Sequence, residues 1–435
     1  MKENIQTTTL ENGLTILTET MPDARSASIV FWFNKGSRHE PGELNGISHF
    51  IEHAVFKGTK KRSALDIAVE IDRLGGNFDA FTSHETTGFG MKVVDKQLPQ
   101  AFDLLADMLA NPVFDEKELK RERRVIVEEM KMVEDTPEEF LGEIFQADFF
   151  PNHVLGLPIE GTRQSVRRFN RNVTSEYHAQ TFQPENLVIA AAGNIEHAQI
   201  ENLVGRIFKV QSSKFKVQSL NHETLNLEPV TLNSPSIAAP IILKKKRELE
   251  QAHLIIAAPW IEAKSEKRYA AHLLESIFGS GTSSRLWQSI REKRGLAYSV
   301  GASGMSFEDC GIFSIFAATS PEKLDETIDL SIAELAKIKK HGVSGKELQL
   351  AKDQANASIL LGLEDSGVRA GNLAQQAITY GKTIALEETL EKIEAVRADD
   401  IQQLAEEFFQ TEKIALAALG NLNGLKVERE RLNVD

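Results

Sequence analysis

The segment from His49 to His53 holds the residues whose types and spacing could most directly do chemistry. It reads His49-Phe-Ile-Glu52-His53, so the charged and polar groups fall at positions i, i+3 and i+4. On an α-helix these positions share one face. Two imidazoles one turn apart can bind one Zn²⁺ ion while the carboxylate lies beside it, and metal-assisted hydrolysis needs such ligands and a nearby base. A surface helix that carries these residues by chance is the alternative, and spacing alone does not separate the two interpretations.

A tetrahedral zinc site would need a third protein ligand from elsewhere in the chain. The predicted helix 115–134 offers six candidates: Glu116, Glu118, Glu122, Glu128, Glu129 and Glu134. Glu122 and Glu129 lie seven residues apart, which places both on one helical face. A solvated helix with ion pairs between successive turns also explains most of these residues. The residues alone therefore do not identify the third ligand.

Composition narrows the class of protein. The 435 residues include 50 Lys and Arg against 63 Asp and Glu, a formal charge of −13 without a strongly basic stretch. Nucleic acid and anionic membranes attract cationic surfaces, so neither is predicted as a partner. There is no long apolar run or signal-like N-terminus, and Cys310 is the only cysteine. We therefore predict a cytoplasmic protein without an intramolecular disulfide.

Two blocks of sequence recur at one long period, which indicates an internal duplication. The stretch 188–194 (VIAAAGN) is echoed by 415–421 (ALAALGN), and the His49–Thr59 block is echoed by His272–Thr282. In the second copy Ser276 stands where His53 would be, so that copy is predicted to be structural. The length fits two large domains. We assign residues 1–228 to the first, 229–248 to a linker and 249–435 to the second.

Each half repeats one order of elements. Apolar strands come first, a helix follows (44–57 and 266–278), and then a strand region with glycines (74–94 and 295–305). Long helices come next, and a strand closes each half (186–192 and 413–419). This order predicts an α+β fold. It consists of two homologous α/β-sandwich-like domains, each an antiparallel-rich sheet with helices packed on it.

Several motifs together resemble the insulinase/pitrilysin (M16) metallopeptidases. They extend over nearly the whole chain: Gly36, Gly46–Thr59, Leu74–Ser83, Glu122–Met130, Ser283–Leu286 and Arg291–Tyr298. The length resembles the half-length branch that includes the mitochondrial processing peptidase β subunit. The duplicated domains agree with the architecture of that family.

The resemblance implies roles for the residues of the first half. It implies one zinc ion per chain, held by His49, His53 and a glutamate about 76 residues further on, which is Glu129. Glu52 would be the general base that takes a proton from zinc-bound water and passes it to the leaving amine. Glu122 would support the site by orienting a histidine ligand.

The segment 76–83 alternates apolar and polar residues after a Gly-Gly turn, which predicts a strand. The resemblance implies an edge strand that pairs with an extended substrate. Its substrate-binding residues would be Asn77, Asp79, Ala80 and Phe81. Many relatives carry Asn where this chain has Asp79. An ordinary core-facing strand would explain the phenylalanines equally well.

Arg291 and Tyr298 lie seven residues apart in REKRGLAY. A basic helix end followed by a glycine stop and a strand is one explanation. The resemblance implies an Arg/Tyr pair that binds substrate and stabilises the oxyanion. In a half-length chain that role requires a second subunit. We therefore predict a two-fold homodimer with composite active sites, each completed by Arg291 and Tyr298 of the other chain.

These observations predict a zinc-dependent endopeptidase that hydrolyses peptides or extended, unfolded protein segments. The alternative is a non-catalytic or obligate-heterodimer subunit of an M16-type processing complex. The physiological substrate, the cleavage preference and the choice between homodimer and heterodimer are not determined by the sequence.

Overall fold

A computed structural model of the chain describes residues 4–208, 233–422 and 424–435. They form two compact units. Unit 1 comprises the described residues within Met1–Lys131, Leu157–Leu232 and Leu360–Ala385, and unit 2 comprises those within Met132–Gly156, Asn233–Ile359 and Leu386–Asp435. Each unit thus includes a segment from the opposite half of the sequence. The division at 229–248 stays a prediction, and residues 229–232 of that linker lie outside the described part.

The strands are β1 (Ile5–Thr9), β2 (Thr15–Thr20), β3 (Ser26–Phe33), β4 (Asn77–Thr82), β5 (Thr87–Val94), β6 (Leu187–Gly193), β7 (Ile241–Lys245), β8 (Ala252–Trp260), β9 (Ala297–Ser306), β10 (Gly311–Thr319) and β11 (Ala415–Gly420). The first six belong to unit 1 and the others to unit 2. The central strands β3 and β8 are nearly continuous apolar runs, as expected of strands covered on both faces.

The helices are α1 (Ile47–Ala54), α2 (Ala64–Leu74), α3 (Leu98–Ala110), α4 (Glu116–Asp135), α5 (Pro137–Phe149), α6 (Arg163–Val166), α7 (Arg171–Thr181), α8 (His197–Ile207), α9 (Arg268–Gly279), α10 (Leu324–His341), α11 (Gly345–Gly362), α12 (Ser366–Tyr380), α13 (Leu386–Ala395) and α14 (Ala398–Phe408). Within the described ranges, no helix combines the length and the apolar character needed to cross a bilayer.

Unit 1 is built on a six-stranded sheet with the order β1-β2-β6-β3-β5-β4. Strands β2 and β6 are parallel and the other neighbours are antiparallel. One face forms the main core, where Phe31, Phe50 and Phe102 are fully buried. Helix α12 covers the other face with Leu373 and Ala374. The core therefore holds α1 against the sheet, near the edge strand β4.

Unit 2 is built on a five-stranded sheet with the order β7-β11-β8-β10-β9. Strands β7 and β11 are parallel and the other neighbours are antiparallel. Its main core includes Trp260, Phe313 and Phe409 in mutual ring contact. Helix α5 covers the opposite face, with Phe145 among its buried residues. Both sheets are thus covered by helices on both faces.

The two sheets have the same strand order once β1 is set aside, and in both the single parallel pair involves the closing strand. Gly193 and Gly420 end those closing strands at φ 131° and 139°. A Cβ at either glycine would lie within 3 Å of backbone atoms of the neighbouring strand. Glycine is therefore required at both positions. The predicted fold class, with two homologous α+β domains and antiparallel-rich sheets, is confirmed.

Candidate active site

Helix α1 presents two faces with different character. Its buried apolar residues are Ile47, Phe50, Ile51 and Ala54. Their spacing is that of an amphipathic helix lying on a core. His49, Glu52 and His53 lie on the other face and are half-buried. The apolar pattern of the sequence therefore fixes which way the three polar residues point.

The start of α1 is fixed by a carboxylate that comes earlier in the chain. Glu40 accepts a hydrogen bond from the backbone N–H of Gly46 and another from that of Ser48, each 2.7 Å long. Gly46 has φ 92°, and a Cβ there would lie 2.5 Å from the carbonyl oxygen of Glu160. Burial raises the pKa of Glu40 to about 7, and the two backbone hydrogen bonds oppose that shift. Glu40 thus satisfies free N–H groups at the helix start.

His49, His53 and Glu129 converge into a cluster that could hold a metal ion. One ligand atom from each lies within 4.8 Å of the others. The Nε2 atom of His53 is 3.6 Å from Oε2 of Glu129. Within the described residues, Nδ1 of His49 and Oε2 of Glu129 are buried without a hydrogen-bond partner. Buried polar atoms are normally paired, so these two fit coordination to a cation.

Glu122 lies behind the histidine pair. Its Oε2 atom is 3.4 Å from Nδ1 of His53, and its Oε1 atom is 3.0 Å from Nζ of Lys57. The Glu122 side chain is only 6 % exposed. A carboxylate on Nδ1 holds the imidazole so that Nε2 is left for a metal. The structure therefore brings Glu122 to the place that a supporting role requires, and it adds Lys57 as its counter-charge.

Burial and neighbouring charges together shift the pKa values of the cluster members. Burial, together with nearby His53, lowers the pKa of His49 to about 4. Burial also acts to lower the pKa of His53, but Glu122 and Glu129 outweigh it and the pKa is raised. Burial acts to raise the pKa of Glu122, but His53 and Lys57 lower it overall. His49 is therefore neutral near pH 7, which is the form of imidazole that binds a metal.

Glu52 stands beside the two histidines on the same helical face. The hydroxyl of Thr82, the last residue of β4, donates a 2.7 Å hydrogen bond to Oε2 of Glu52. In the described part of the chain, Oε1 has no hydrogen-bond partner. Burial raises the pKa of Glu52, and the Thr82 hydrogen bond partly opposes that shift. A raised pKa suits a carboxylate that has to accept and return a proton.

Strand β4 is at one edge of the unit 1 sheet and, within the described residues, pairs only with β5. Phe78 and Ala80 pack towards the main core, on the same side as Thr82. Phe81 points to the opposite face, where its ring meets Trp32 edge-on at 5.1 Å. Because side chains alternate along a strand, the exposed Asn77 and Asp79 share the face of Phe81. These four residues lie together on the edge strand as expected, and their contact with substrate stays a prediction.

Arg291 and Tyr298 lie in unit 2 and contact each other directly. Arg291 donates a 2.7 Å hydrogen bond to the carbonyl oxygen of Tyr298. Its guanidinium carbon lies 3.9 Å from the ring centre of Trp287 and 4.5 Å from that of Tyr298. The cation is thus held between two aromatic rings.

The backbone near Arg291 and Tyr298 has two irregular features. Residues Trp287–Glu292 form a π-helical turn, a rare form that often marks functional positions. The register between β9 and β10 shifts between Ala318 and Thr319, which leaves Tyr298 unpaired as a bulge residue. Its side chain is 77 % exposed. The bulge therefore directs the phenol into solvent while the strand continues on either side.

Four residues that contact or support the candidate site residues were not identified from the sequence: Glu40, Lys57, Thr82 and Trp287. Lys57 and Thr82 fall inside the quoted motifs, but their partners Glu122 and Glu52 are distant in sequence. Trp287 lies four residues before Arg291 and so shares its helical face, which was a usable signal. Glu40 gave no signal, because a capping carboxylate seven residues ahead of the first helical residue matches no local capping pattern.

Comparison with known proteins places the chain in a family. The profile of insulinase (peptidase family M16) matches residues 15–163, and that of the peptidase M16 inactive domain matches residues 168–355. The "Uncharacterized zinc protease YmxG" of Bacillus subtilis is 37 % identical over 94 % of this chain and 97 % of its own length. An uncharacterized zinc protease of Rickettsia bellii is 35 % identical over 98 % of this chain and 100 % of its own.

Solved structures share the fold. A protease from Helicobacter pylori superposes with a TM-score of 0.85 at 22 % identity and covers 96 % of this chain and 100 % of its own. A peptidase M16 inactive domain from Pseudomonas fluorescens gives 0.85 at 19 % identity, over 96 % and 98 % of the two chains. The profiles, the relatives and the shared fold lead to one assignment: the chain belongs to the insulinase family, peptidase family M16.

Proposed function

We propose that this protein is a zinc-dependent endopeptidase that hydrolyses peptides or extended, unfolded protein segments. The observation that carries the proposal is the convergence of His49, His53 and Glu129 beside Glu52. The names of the relatives from Bacillus subtilis and Rickettsia bellii, both beginning with "Uncharacterized zinc protease", agree with it. One Zn²⁺ per chain would be held by the three ligands.

A bound zinc ion would act as a Lewis acid that polarises the scissile carbonyl and makes water a better nucleophile. Glu52 supplies the base. Oε1 of Glu52, the oxygen that Thr82 leaves free, takes a proton from the attacking water and later delivers it to the departing amine nitrogen. Glu122 keeps the His53 ring oriented, and Lys57 balances the charge of Glu122.

The free edge of β4 is the proposed binding place for the substrate backbone. An extended peptide that pairs with this edge would gain main-chain hydrogen bonds that depend little on sequence. The residues of this contact would be Asn77, Asp79, Ala80 and Phe81. Because Thr82 ends the same strand, a peptide bound there would pass close to Glu52.

Arg291 and Tyr298 are proposed to complete the site from a second copy of the chain. The exposed phenol of Tyr298 could donate a hydrogen bond to the oxyanion, and the stacked Arg291 could hold the substrate. The homodimer with two composite sites therefore remains our proposal for the assembly.

Cleavage of a quenched, mixed-sequence basic peptide library by the zinc-loaded protein, read by mass spectrometry, tests the activity. Glu52→Gln keeps the shape of the side chain and should leave bound zinc unchanged, but it should abolish cleavage because the base is lost. An active Glu52→Gln protein would contradict the mechanism. Failure of the wild-type protein to cleave, despite bound zinc and a dimeric state, would favour the non-catalytic subunit.

Mixing two inactive variants tests the composite site. Equimolar Glu52→Gln and Tyr298→Phe chains, unfolded and refolded together, should recover up to about a quarter of wild-type activity if sites form between chains, because each mixed dimer has one intact site. A site formed within one chain would give no recovery. Each variant refolded alone is the control.

A further inference from the structure

Thr82, the last residue of strand β4, is related to the proposed active site through both its side chain and its backbone. Thr82 is half-buried, and its hydroxyl donates the 2.7 Å hydrogen bond to Oε2 of Glu52. The two residues are thirty positions apart in sequence. The contact therefore depends on the packing of α1 beside β4 and not on a local turn.

The backbone of Thr82 faces the free edge of the sheet. The N–H of Ser83 donates to the carbonyl oxygen of Thr86, so Ser83 faces β5. Hydrogen-bonding positions alternate along an antiparallel pair. The alternation turns the main-chain groups of Phe78, Ala80 and Thr82 outward. An extended peptide on this edge would therefore pair with the residue whose side chain holds Glu52.

A glutamate needs such a partner if its carboxylate is to stay in one orientation. Helix α1 fixes the backbone of Glu52, but the side chain keeps three rotatable bonds. The backbone of Thr82 is held in the sheet because the residues on either side of it, Phe81 and Ser83, pair with Gly88 and Thr86. A hydrogen bond from a rigid strand selects one orientation of the carboxylate and leaves Oε1 for the reaction.

We propose that Thr82 is a positioning residue, which orients the carboxylate of Glu52 for proton transfer and links that orientation to the strand edge where the substrate binds. This inference rests on the proposed endopeptidase function. It assigns Thr82 no contact with a metal ion, so the affinity for zinc should not depend on its hydroxyl.

Two substitutions separate the hydroxyl from the shape of the side chain. Thr82→Val keeps the branched shape and removes the donor, and Thr82→Ser keeps the donor. Thr82→Val should lower kcat about tenfold to a hundredfold, while KM and zinc affinity stay within about twofold of wild type. Thr82→Ser should recover kcat to within about threefold of wild type.

Crystal structures of the metal-free proteins give a readout that does not depend on activity. The Glu52 carboxylate should occupy one orientation in the wild type and in Thr82→Ser, and more than one in Thr82→Val. A Thr82→Val protein with wild-type kcat and a single Glu52 orientation would overturn the proposal. Equal losses in Val and Ser variants, or a parallel loss of zinc affinity, would also overturn it by indicating a structural role.

The control in the Glu52→Gln background keeps this inference distinct from the proposed function. If Glu52→Gln remains active, the endopeptidase mechanism fails. If Glu52→Gln is inactive while Thr82→Val behaves as wild type, only the role of Thr82 fails. If Thr82 acts through Glu52, adding Thr82→Val to Glu52→Gln should leave any residual turnover unchanged.

Discussion

Helices α1 and α9 hold matching places in units 1 and 2, yet they use the same glutamate differently. In unit 1, Glu52 shares a helical face with His49 and His53, and one of its carboxylate oxygens has no hydrogen-bond partner among the described residues. In unit 2, Glu275 accepts a 2.9 Å hydrogen bond from the indole N–H of Trp260. A Cβ on Gly304 would lie 2.0 Å from its Oε1, so the strand packs closely around this carboxylate. The second glutamate is therefore part of the packing of its unit.

The surroundings of the two helices differ as well. Ser276 stands where His53 would be, and its hydroxyl donates to Gln354. His272 is exposed to solvent. Among the residues that the structure describes, only one set of three or more His, Cys, Asp or Glu side chains is close enough together to hold a metal ion. It consists of His49, His53 and Glu129. The shared scaffold therefore does not by itself bring such a group together, since unit 2 has Ser276 in place of the second histidine.

An arginine after the matching helices is common to both units. Arg62 and Arg285 hold matching positions in the repeat, 223 residues apart. Arg62 donates to Asp103 and Asp107, and Arg285 donates to both carboxylate oxygens of Glu347. Arg62 thus connects the segment after α1 to α3, and Arg285 connects the segment after α9 to α11. The duplication therefore keeps the arginine, but its carboxylate partners come from helices at different places in the two units.

The largest expected effect comes from making α1 resemble α9. His53→Ser should lower zinc affinity by at least about a hundredfold and abolish cleavage, because one of the three proposed zinc ligands is lost. Zinc content after dialysis, measured by atomic spectroscopy, checks this. The reverse change, Ser276→His, is the matched control and should bind no additional zinc. Glu347, which lines the same pocket as Ser276, is already bound by Arg285, and Glu275 is bound by Trp260. A second zinc ion in that variant would break the comparison.

Removing the support behind the ligand should have the next largest effect. Glu122→Gln should lower zinc affinity about tenfold to a hundredfold, because the amide orients His53 less strongly than a carboxylate does. Competition with a chelator of known affinity measures the change. Glu128→Gln, on the exposed side of the same helix, should match wild type. Equal affinities for both variants would argue that Glu122 serves only to pair with Lys57.

A smaller effect is expected in unit 2. Trp287→Leu removes one of the two rings that hold Arg291 and should lower kcat/KM about threefold to tenfold, with zinc affinity unchanged. Trp287→Phe retains a ring and should stay within about twofold of wild type. Peptide cleavage kinetics, with the thermal midpoint as a folding check, decide the matter. A Leu variant with wild-type kinetics would indicate that the stack does not matter for turnover.

The smallest effect concerns stability in acid. Burial acts to raise the pKa of Glu347, but hydrogen bonds from Arg285 and Ser344 outweigh burial and lower this pKa to about 2. A lowered pKa in the folded state stabilises the protein above the unfolded pKa, near 4.5, and this contribution is lost as pH falls towards 2. The difference in urea-unfolding midpoint between wild type and Glu347→Gln should therefore shrink over that window. Glu388→Gln, at an exposed site, should show no such trend.

Much of the site followed from local sequence. The i, i+3 and i+4 spacing placed His49, Glu52 and His53 on one face, and the apolar residues between them turned that face away from the core. The two repeated blocks predicted two domains with one strand order. The residues by themselves did not single out Glu129 among six glutamates, and only the family resemblance did so.

The sequence by itself determined the duplicated α+β architecture, the helix that carries the histidines and the chemistry of its residues, because periodicity and residue type act over a few positions. Only the tertiary structure decided that Glu122 lies behind His53, that Thr82 holds Glu52 and that Trp287 and Tyr298 enclose Arg291. It also decided that α12 and α5 each cover a sheet built mostly from the other half of the chain. Hydrogen bonds, stacking and coordination require atoms within a few ångströms, and for residues distant in sequence only folding supplies that proximity.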